Sequence, residues 1–333
     1  MNIMITGGAG FIGSQLGHRL AKEGHNIYLL DNMSFGHEDN LAIDGETFGT
    51  FIHEDIRSDS LIKHFKGMDY VFHFAGIAPL PNCQENPYEA IDVNVAGTAN
   101  VLEASRRNNV KRVIFASTSA IYENNKAFPC REDFEVSPDL IYATSKLQSE
   151  MLCNSFSRAY GLETVILRFF NVYGPHQDFR RKQPPLIGYI IKSLLSNECP
   201  VLHSDGEQRR DYVYVDDVLD LCRVVMEHTD APDNVFNVAS GTTISVKEIY
   251  QRIAKEFNTQ ITPTYNESSK FWDKYPMLFA GPKPLSLERV DKEVNKYSLG
   301  CTLKSKELLN WTPRISTIEG FRKVVEYAKK LGG

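Results

Sequence analysis

The chain has 333 residues, 37 Lys and Arg against 42 Asp and Glu for a formal charge of −5, with 42% hydrophobic and 24% charged residues. That length exceeds one core of about 100–200 residues, so one large domain or two lobes is expected, and the apolar content is far above that of a disordered chain. Mild acidity without a Lys/Arg block argues against nucleic acid as the main ligand, and no apolar run approaches the roughly 18 residues of a membrane span. Met1 is followed within one residue by the strand-like IMITG (3–7), so no signal peptide is expected. Five further strand-like runs follow: NIYLLD (26–31), TFIHED (50–55), YVFHFAG (70–76), RVIFAS (112–117) and TVILRFF (164–170). Helical patterns fall between them, near 11–23, 58–66, 87–108 and 140–160. Runs apolar on both faces are what a buried parallel sheet requires. Their alternation with helices predicts a doubly wound α/β (Rossmann) sheet. After about residue 175 the rhythm breaks up. Pro184 and Pro185 open a helix over 185–196, others are expected near 215–229 and 245–257, and TIEGFRKVVEYAKKL closes the chain. The expected division is 1–175, with a stretch of about 212–240 returning to it, and 176–333 as mainly a smaller α/β lobe. The cysteines (Cys83, Cys130, Cys153, Cys199, Cys222, Cys301) form no C-x-x-C and no Cys/His cluster. Neither a metal site nor a disulfide framework is expected, and a reducing cytoplasm is the expected compartment.

TGGAGFIG runs from Thr6 to Gly13, directly after the first strand and before the first helix. Gly7, Gly8, Gly10 and Gly13 fit both G-x-x-G-x-x-G and G-x-G-x-x-G. Glycine is needed where the turn takes φ > 0 and where a side chain would block backbone approach to a pyrophosphate. The helix start at Phe11 and Ile12 then offers free N–H groups and a positive dipole end. The bland alternative is an ordinary tight βα turn. Asp31 closes the second strand 18 residues after Gly13, where a carboxylate can accept both ribose hydroxyls of adenosine and would repel a 2′-phosphate. NAD is therefore favoured over NADP, although Asp31-Asn32 could also simply start a turn.

Tyr142 and Lys146 stand at i, i+4 in YATSKLQSEML, on one face of a helix. A tyrosine serves as acid/base for a sugar hydroxyl only if its pKa falls from about 10 toward neutrality. A Lys cation about 5 Å away, at an effective dielectric of about 20, supplies roughly 3 kcal/mol, or about 2 pKa units. Tyr122 and Lys126 in YENNK repeat the spacing, but in a polar, turn-like stretch. For either pair the bland reading is a surface tyrosine near a solvated lysine. What favours Tyr142 is Thr118, at the C-terminal end of the fifth strand, where open α/β sheets bind their ligands.

Together the glycine loop, Asp31, the Thr118/Tyr142/Lys146 set and RFFNVYGP (168–175) resemble the extended short-chain dehydrogenase/reductase family. More narrowly, they are similar to its nucleotide-sugar epimerase/dehydratase branch. The resemblance implies that Asp55 and Ile56 touch adenine, that FHFAG (72–76), with Phe74, Ala75 and Gly76, lines the cofactor's other side, and that Asn94 in DVNVAGT supports the site. It further implies that Phe170 and Asn171 meet nicotinamide and sugar diphosphate, and that Arg210 in GEQRRDYVYVDD binds the diphosphate. Asn94 could instead only cap a turn, and Arg210 could only pair with Asp216 or Asp217. The implied chemistry begins with oxidation of a sugar C4 hydroxyl by NAD, Tyr142 taking the proton and Thr118 bonding the oxygen. A 4,6-dehydratase of this branch carries an Asp-Glu pair just after the threonine, and a decarboxylase carries Glu at the second of those positions. Here they are Ser119 and Ala120. Two outcomes remain: 4-epimerisation, or release of the ketone as a net dehydrogenase.

Three departures from the family pattern stand out. Glu123 occupies the place of a glycine, and the second diphosphate-binding arginine that the resemblance implies near Val290 is found one place off, at Arg289, which is the expected substrate contact there. The stretch 266–285, with Trp272, Tyr275 and Phe279, is longer than usual and reads either as a lid or as an aromatic-stapled surface loop. Aligning Glu293-Val294 with the family's Asp-Val sets Tyr297 at the gate for the sugar's C2 substituent. The resemblance also implies a homodimer through helices at about 87–108 and 140–160.

Overall fold

Six of the expected apolar runs and one further segment form a single wholly parallel sheet of seven strands. The computed structural model describes residues 1–178 and 184–332. In chain order the principal elements are β1 (Asn2–Thr6), α1 (Phe11–Lys22), β2 (Asn26–Asp31), β3 (Thr50–His53), β4 (Tyr70–His73), α2 (Gly97–Arg107), β5 (Arg112–Thr118), α3 (Ile141–Tyr160) and β6 (Glu163–Phe169). They continue with α4 (Leu186–Leu195), α5 (Val215–Glu227), β7 (Asn234–Val238), α6 (Val246–Phe257), α7 (Leu287–Asn295) and α8 (Thr317–Gly332). The strand order β7-β6-β5-β4-β1-β2-β3 reverses direction between β1 and β4. That switch point opens a crevice at the strands' C-terminal ends.

Both faces of the sheet are buried, as the unbroken apolar runs require. Ile3 and Ile5 of β1 point into one core with Leu16, Val218 and Phe236, while Met4 between them joins Val71, Val101, Phe115 and Cys153 in the other. This alternation is the period-2 geometry of a strand. α6 starts with a capping box, the Ser245 hydroxyl accepting from Glu248 N while the Glu248 carboxylate accepts from Ser245 N.

The structure departs from the expected elements at several points, α7 itself among the helices not expected, and it takes the stapled alternative for 266–285. β7, NVFNV, was not among the expected strands; it pairs in parallel with β6 from Asn234 opposite Val165 to Val238 opposite Phe169. The helix expected over 87–108 is broken into an α-helical piece (Pro87–Ile91), a π-helical turn (Asp92–Ala96) and α2. The helix expected over 58–66 shortens to Leu61–His64. Residues 266–285 are stapled by their aromatics: Trp272, Tyr275 and Leu278 are buried with Leu140, Val290 and Val294. A segment that contributes this core to its neighbours cannot lift as a free lid without exposing it.

Candidate functional site

The glycine loop is set by backbone contact. Gly7 takes φ +72°, and a Cβ there would meet the backbone of Phe74 and Ala75 at 2.8 Å. A Cβ on Gly13 would lie 2.3 Å from Gly7 O. Gly10 N donates to Gly7 O, and Ser14 N to Gly10 O, so α1 starts at Phe11 with the N–H groups of its first turn turned to the crevice. The carboxylate of Asp31 accepts from Ala9 N at 3.1 Å and Met33 N at 2.8 Å, and burial raises its pKa against those two bonds. Asp55 is fixed by Arg57 and Asn32, with the Arg57 guanidinium holding its carboxyl well below the usual range.

These groups line a cleft of about 360 Å³, walled by Gly7, Gly10, Asp31, Asn32, Asp55, Ile56, Phe74, Ala75 and Gly76. Phe11, Ile12 and Gly13, at the start of α1, follow Gly10 directly but are not among the walls of the cleft. Arg57 also lines the cleft, but Asp55, Glu89 and Asp92 engage it, so it is not presented for a 2′-phosphate. A cradle closed to side chains at Gly7 and an acidic group at the end of β2 fit an adenine dinucleotide without that phosphate.

A second cavity, of about 180 Å³, adjoins the ends of β5 and β6 and is lined by Thr118, Tyr142, Phe170, Asn171, Arg210 and Tyr297. Thr118 Oγ1 accepts from Ala120 N at 3.1 Å, which leaves its own hydrogen to donate. Lys146 is buried one turn along α3 from Tyr142; its Nζ donates to Ala116 O at 2.9 Å and lies 4.8 Å from the Phe115 ring centre. Burial pushes the Lys146 pKa down to about 8. A Cβ on Gly76 would meet Asn94 Oδ1 at 2.9 Å and Lys146 Nζ at 3.4 Å, so Asn94 and Lys146 stand directly behind a wall residue of the first cleft.

Asn94 does more than cap a turn. It sits in the π-helical turn, a feature that recurs at functional sites. Its carboxamide accepts from Ile77 N and donates to Ile77 O and Ser145 Oγ, while its carbonyl accepts from Thr98 and Ser149. Arg210 does not pair with Asp216 or Asp217: it donates to Glu293 O at 2.6 Å and Val294 O at 3.1 Å, and its buried Nε has no protein partner. Arg289 does not line the second cavity. Its guanidinium pairs with Glu123, which does line it, and lies 3.8 Å from Glu293. Tyr297 lines the cavity with Phe128 edge-on, the ring centres 4.7 Å apart.

Tyr122 does end a turn, as expected, but its reading as a surface residue is overturned. It is buried, its hydroxyl accepts from Arg168 and donates to Asn237 Oδ1 at 3.0 Å, and burial pushes its pKa upward. Sequence reasoning also missed His73, fully buried between Thr6 and Thr98. Its signal was present: a histidine inside a run apolar on both faces must have polar partners within the core.

A nucleotide cleft that opens, at a sheet's switch point, onto a tyrosine, a threonine and a buried lysine defines a dinucleotide-dependent α/β enzyme. The chain belongs to the NAD-dependent epimerase/dehydratase family, which it matches over residues 3–239. It is 30% identical over 333 residues to the UDP-glucose 4-epimerase of Mycolicibacterium smegmatis, covering 98% of each chain. Among solved structures it resembles the UDP-glucose 4-epimerase of Thermotoga maritima with UDP-glucose, at a TM-score of 0.87, 32% identity and 99% of each chain. It also resembles the UDP-glucuronic acid 4-epimerase of Bacillus cereus in complex with UDP-glucuronic acid and NAD, at a TM-score of 0.82 and 25% identity, over 99% of this chain and 100% of that one.

Proposed function

We propose that this enzyme inverts the C4 configuration of a nucleotide-diphosphate sugar, with uridine as the base, using NAD. The observation that carries the reading is the meeting of Thr118 and Tyr142 in one cavity, with Lys146 one helical turn behind and the dinucleotide cleft beside them. NAD, held by the Gly7–Gly13 loop, Asp31, Asn32, Asp55 and Ile56, supplies a hydride acceptor that is also the donor on the return. Tyr142 accepts the C4 hydroxyl proton and returns it to the same oxygen after the ketone has turned, so that reduction occurs on the other face of C4; Thr118 donates to the C4 oxygen. Lys146, cationic below about pH 8, favours the phenolate. Phe170 meets the nicotinamide, and Asn171 and Arg210 hold the sugar diphosphate, with Arg210 Nε free of protein partners for it. Ser119 and Ala120 supply no carboxylate for elimination or decarboxylation. We assign residues 1–175, with about 212–240, to NAD, and most of 176–333 to the substrate.

The protein acts as a homodimer through the helices at about 87–108 and 140–160. This is supported by exposed apolar side chains on those helices: Tyr88 is 83% exposed, Met151 62% and Ile91 44%. Among the described residues no helix is long and apolar enough to cross a membrane. The cysteines are free thiols, which agrees with a reducing cytoplasm as the compartment.

The test is mass spectrometry after incubation with UDP-, GDP-, CDP- and dTDP-sugars, with NADH absorbance followed in parallel. An isobaric product from a UDP-sugar without accumulating NADH is expected. A product two mass units lighter makes the enzyme a dehydrogenase, and one lighter by water a dehydratase.

A further inference from the structure

Two of the departures from the family pattern meet in space. Glu123, where a glycine was expected, and Arg289, one place from the expected arginine, form an ion pair whose side chains are only 2% and 13% exposed. Glu123 follows the short 3-10 turn Ser119–Tyr122 that leaves Thr118 at the end of β5. Its Oε1 accepts from Asp139 N and from Leu140 N, the latter at 2.8 Å, while Oε2 faces Arg289. Leu140 is the N-cap of α3, and its apolar side chain cannot cap. Gln84 Oε1 takes the next N–H, that of Ile141, at 3.2 Å. The helix that presents Tyr142 as its second residue therefore begins on a carboxylate supplied by the turn that follows Thr118.

The far side of this contact is equally fixed. Arg289 belongs to α7, whose Val290 and Val294 pack with Leu140, Trp272 and Tyr275. Arg289 also approaches Glu293, which Lys296 pairs at 2.5 Å. An exposed ion pair would do little, but a buried carboxylate stripped of its cation, or a buried cation stripped of its carboxylate, forces local rearrangement.

We propose that Glu123 is a positioning residue: clamped by Arg289, it caps the start of α3 and fixes the height of Tyr142 against Thr118. The role in turnover rests on the proposed epimerase reading, whereas the cap itself does not. Misplacement of a reacting group by about 1 Å lowers rates on the order of 100-fold. Glu123→Ala is therefore expected to lower kcat about 30- to 100-fold with KM for the nucleotide sugar within about 3-fold. Arg289→Met should lower kcat as well, by leaving the buried carboxylate unpaired. The double variant Glu123→Gln/Arg289→Met keeps an amide oxygen for the two N–H groups and removes the unpaired charge. It is expected to be more active than Arg289→Met alone.

Hydrogen exchange of a peptide spanning 139–142 reads the cap without substrate, and should accelerate in Glu123→Ala while NAD affinity is retained. Unchanged exchange there would overturn the proposal. So would an Ala variant with wild-type kcat and a KM raised more than about 10-fold, which would make the pair a substrate contact. So would a double variant no better than Arg289→Met. A wild type inactive on every sugar in the panel would instead sink the epimerase reading, and the exchange measurement would still decide the cap.

Discussion

Tyr122 and Tyr142 each have a lysine four residues on, yet the fold gives them opposite chemistry. Tyr142 opens α3 at the cavity with Lys146 buried behind it, whereas Tyr122 is spent on Arg168 and Asn237. Tyr142→Phe should lower kcat by about 10²- to 10⁴-fold, the usual share of an acid/base, with NAD binding intact by fluorescence titration. Tyr122→Phe should keep turnover within a few-fold but lose roughly 1–3 kcal/mol in urea denaturation, because a buried arginine and asparagine lose a partner. Reversal of the two phenotypes would mean the wrong tyrosine has been assigned. His73 provides a second residue-scale test. Thr98 Oγ1 donates to Asn94 O, so it must accept from His73 Nε2; His73 Nδ1 then accepts from Thr6, whose oxygen takes Ala75 N–H. Every proton of this chain is placed with the imidazole neutral, and burial pushes its pKa down to about 3. The unfolded chain, with His at about 6.5, binds a proton that the folded one refuses, so stability is lost as pH falls through the window from about 6.5 toward 3. Between about pH 7 and pH 5 that predicts a loss on the order of 2 kcal/mol. His73→Phe, less stable throughout, should show a shallower pH slope in the same titration.

At the scale of elements, what could be read in advance was what the local pattern alone determines. The six runs from IMITG to TVILRFF needed only β-branched, two-faced apolarity, and the glycine loop needed only its place between strand and helix. β7 escaped because NVFNV carries two asparagines; its Asn237 is buried and donates to Cys130 O and Cys301 O, partners that lie far away in sequence. The π-helical turn escaped because DVNVAGT continues a helical pattern, and only the contacts of Asn94 with Ile77 and Ser145 reveal the register change. The pairing of Arg289 with Glu123 escaped for a similar reason, since the two lie 166 residues apart. Just after α7, Tyr297 packs edge-on against Phe128 at the cavity wall. On the proposed gate role of Tyr297, a larger C2 substituent is expected to cost about 1–3 kcal/mol, or roughly 5- to 150-fold against the N-acetylated substrate. Tyr297→Ala should admit N-acetylhexosamine nucleotides, measured as kcat/KM for matched sugars. Equal use of both sugars by the wild type would remove Tyr297 from the gate.

For the whole molecule, the decisive question is which apolar side chains the fold leaves outside. Helices at 87–108 and 140–160 carry more apolar residues than one core-facing stripe accommodates, but the surplus is not all of one kind. Val101, Leu102 and Cys153 are consumed by the core beneath the sheet, so α2 contributes less free surface than its sequence suggests. Tyr88, Ile91 and Met151 remain outside on the neighbouring segments, and the piece Pro87–Ile91 packs against α3, so these residues belong to one side of the protein. A second copy related by a two-fold axis would set the same patch against itself, the arrangement a closed homodimer requires. Light scattering at micromolar concentration should give twice the chain mass. Met151→Glu, a charge placed among apolar neighbours, should shift the protein toward the single-chain mass while sparing Tyr142 and Lys146, which lie on the same helix but face the sheet end. A wild type that scatters as one chain at these concentrations would rule out the homodimer. A Met151→Glu variant that still scatters as two would move the interface off this helix pair.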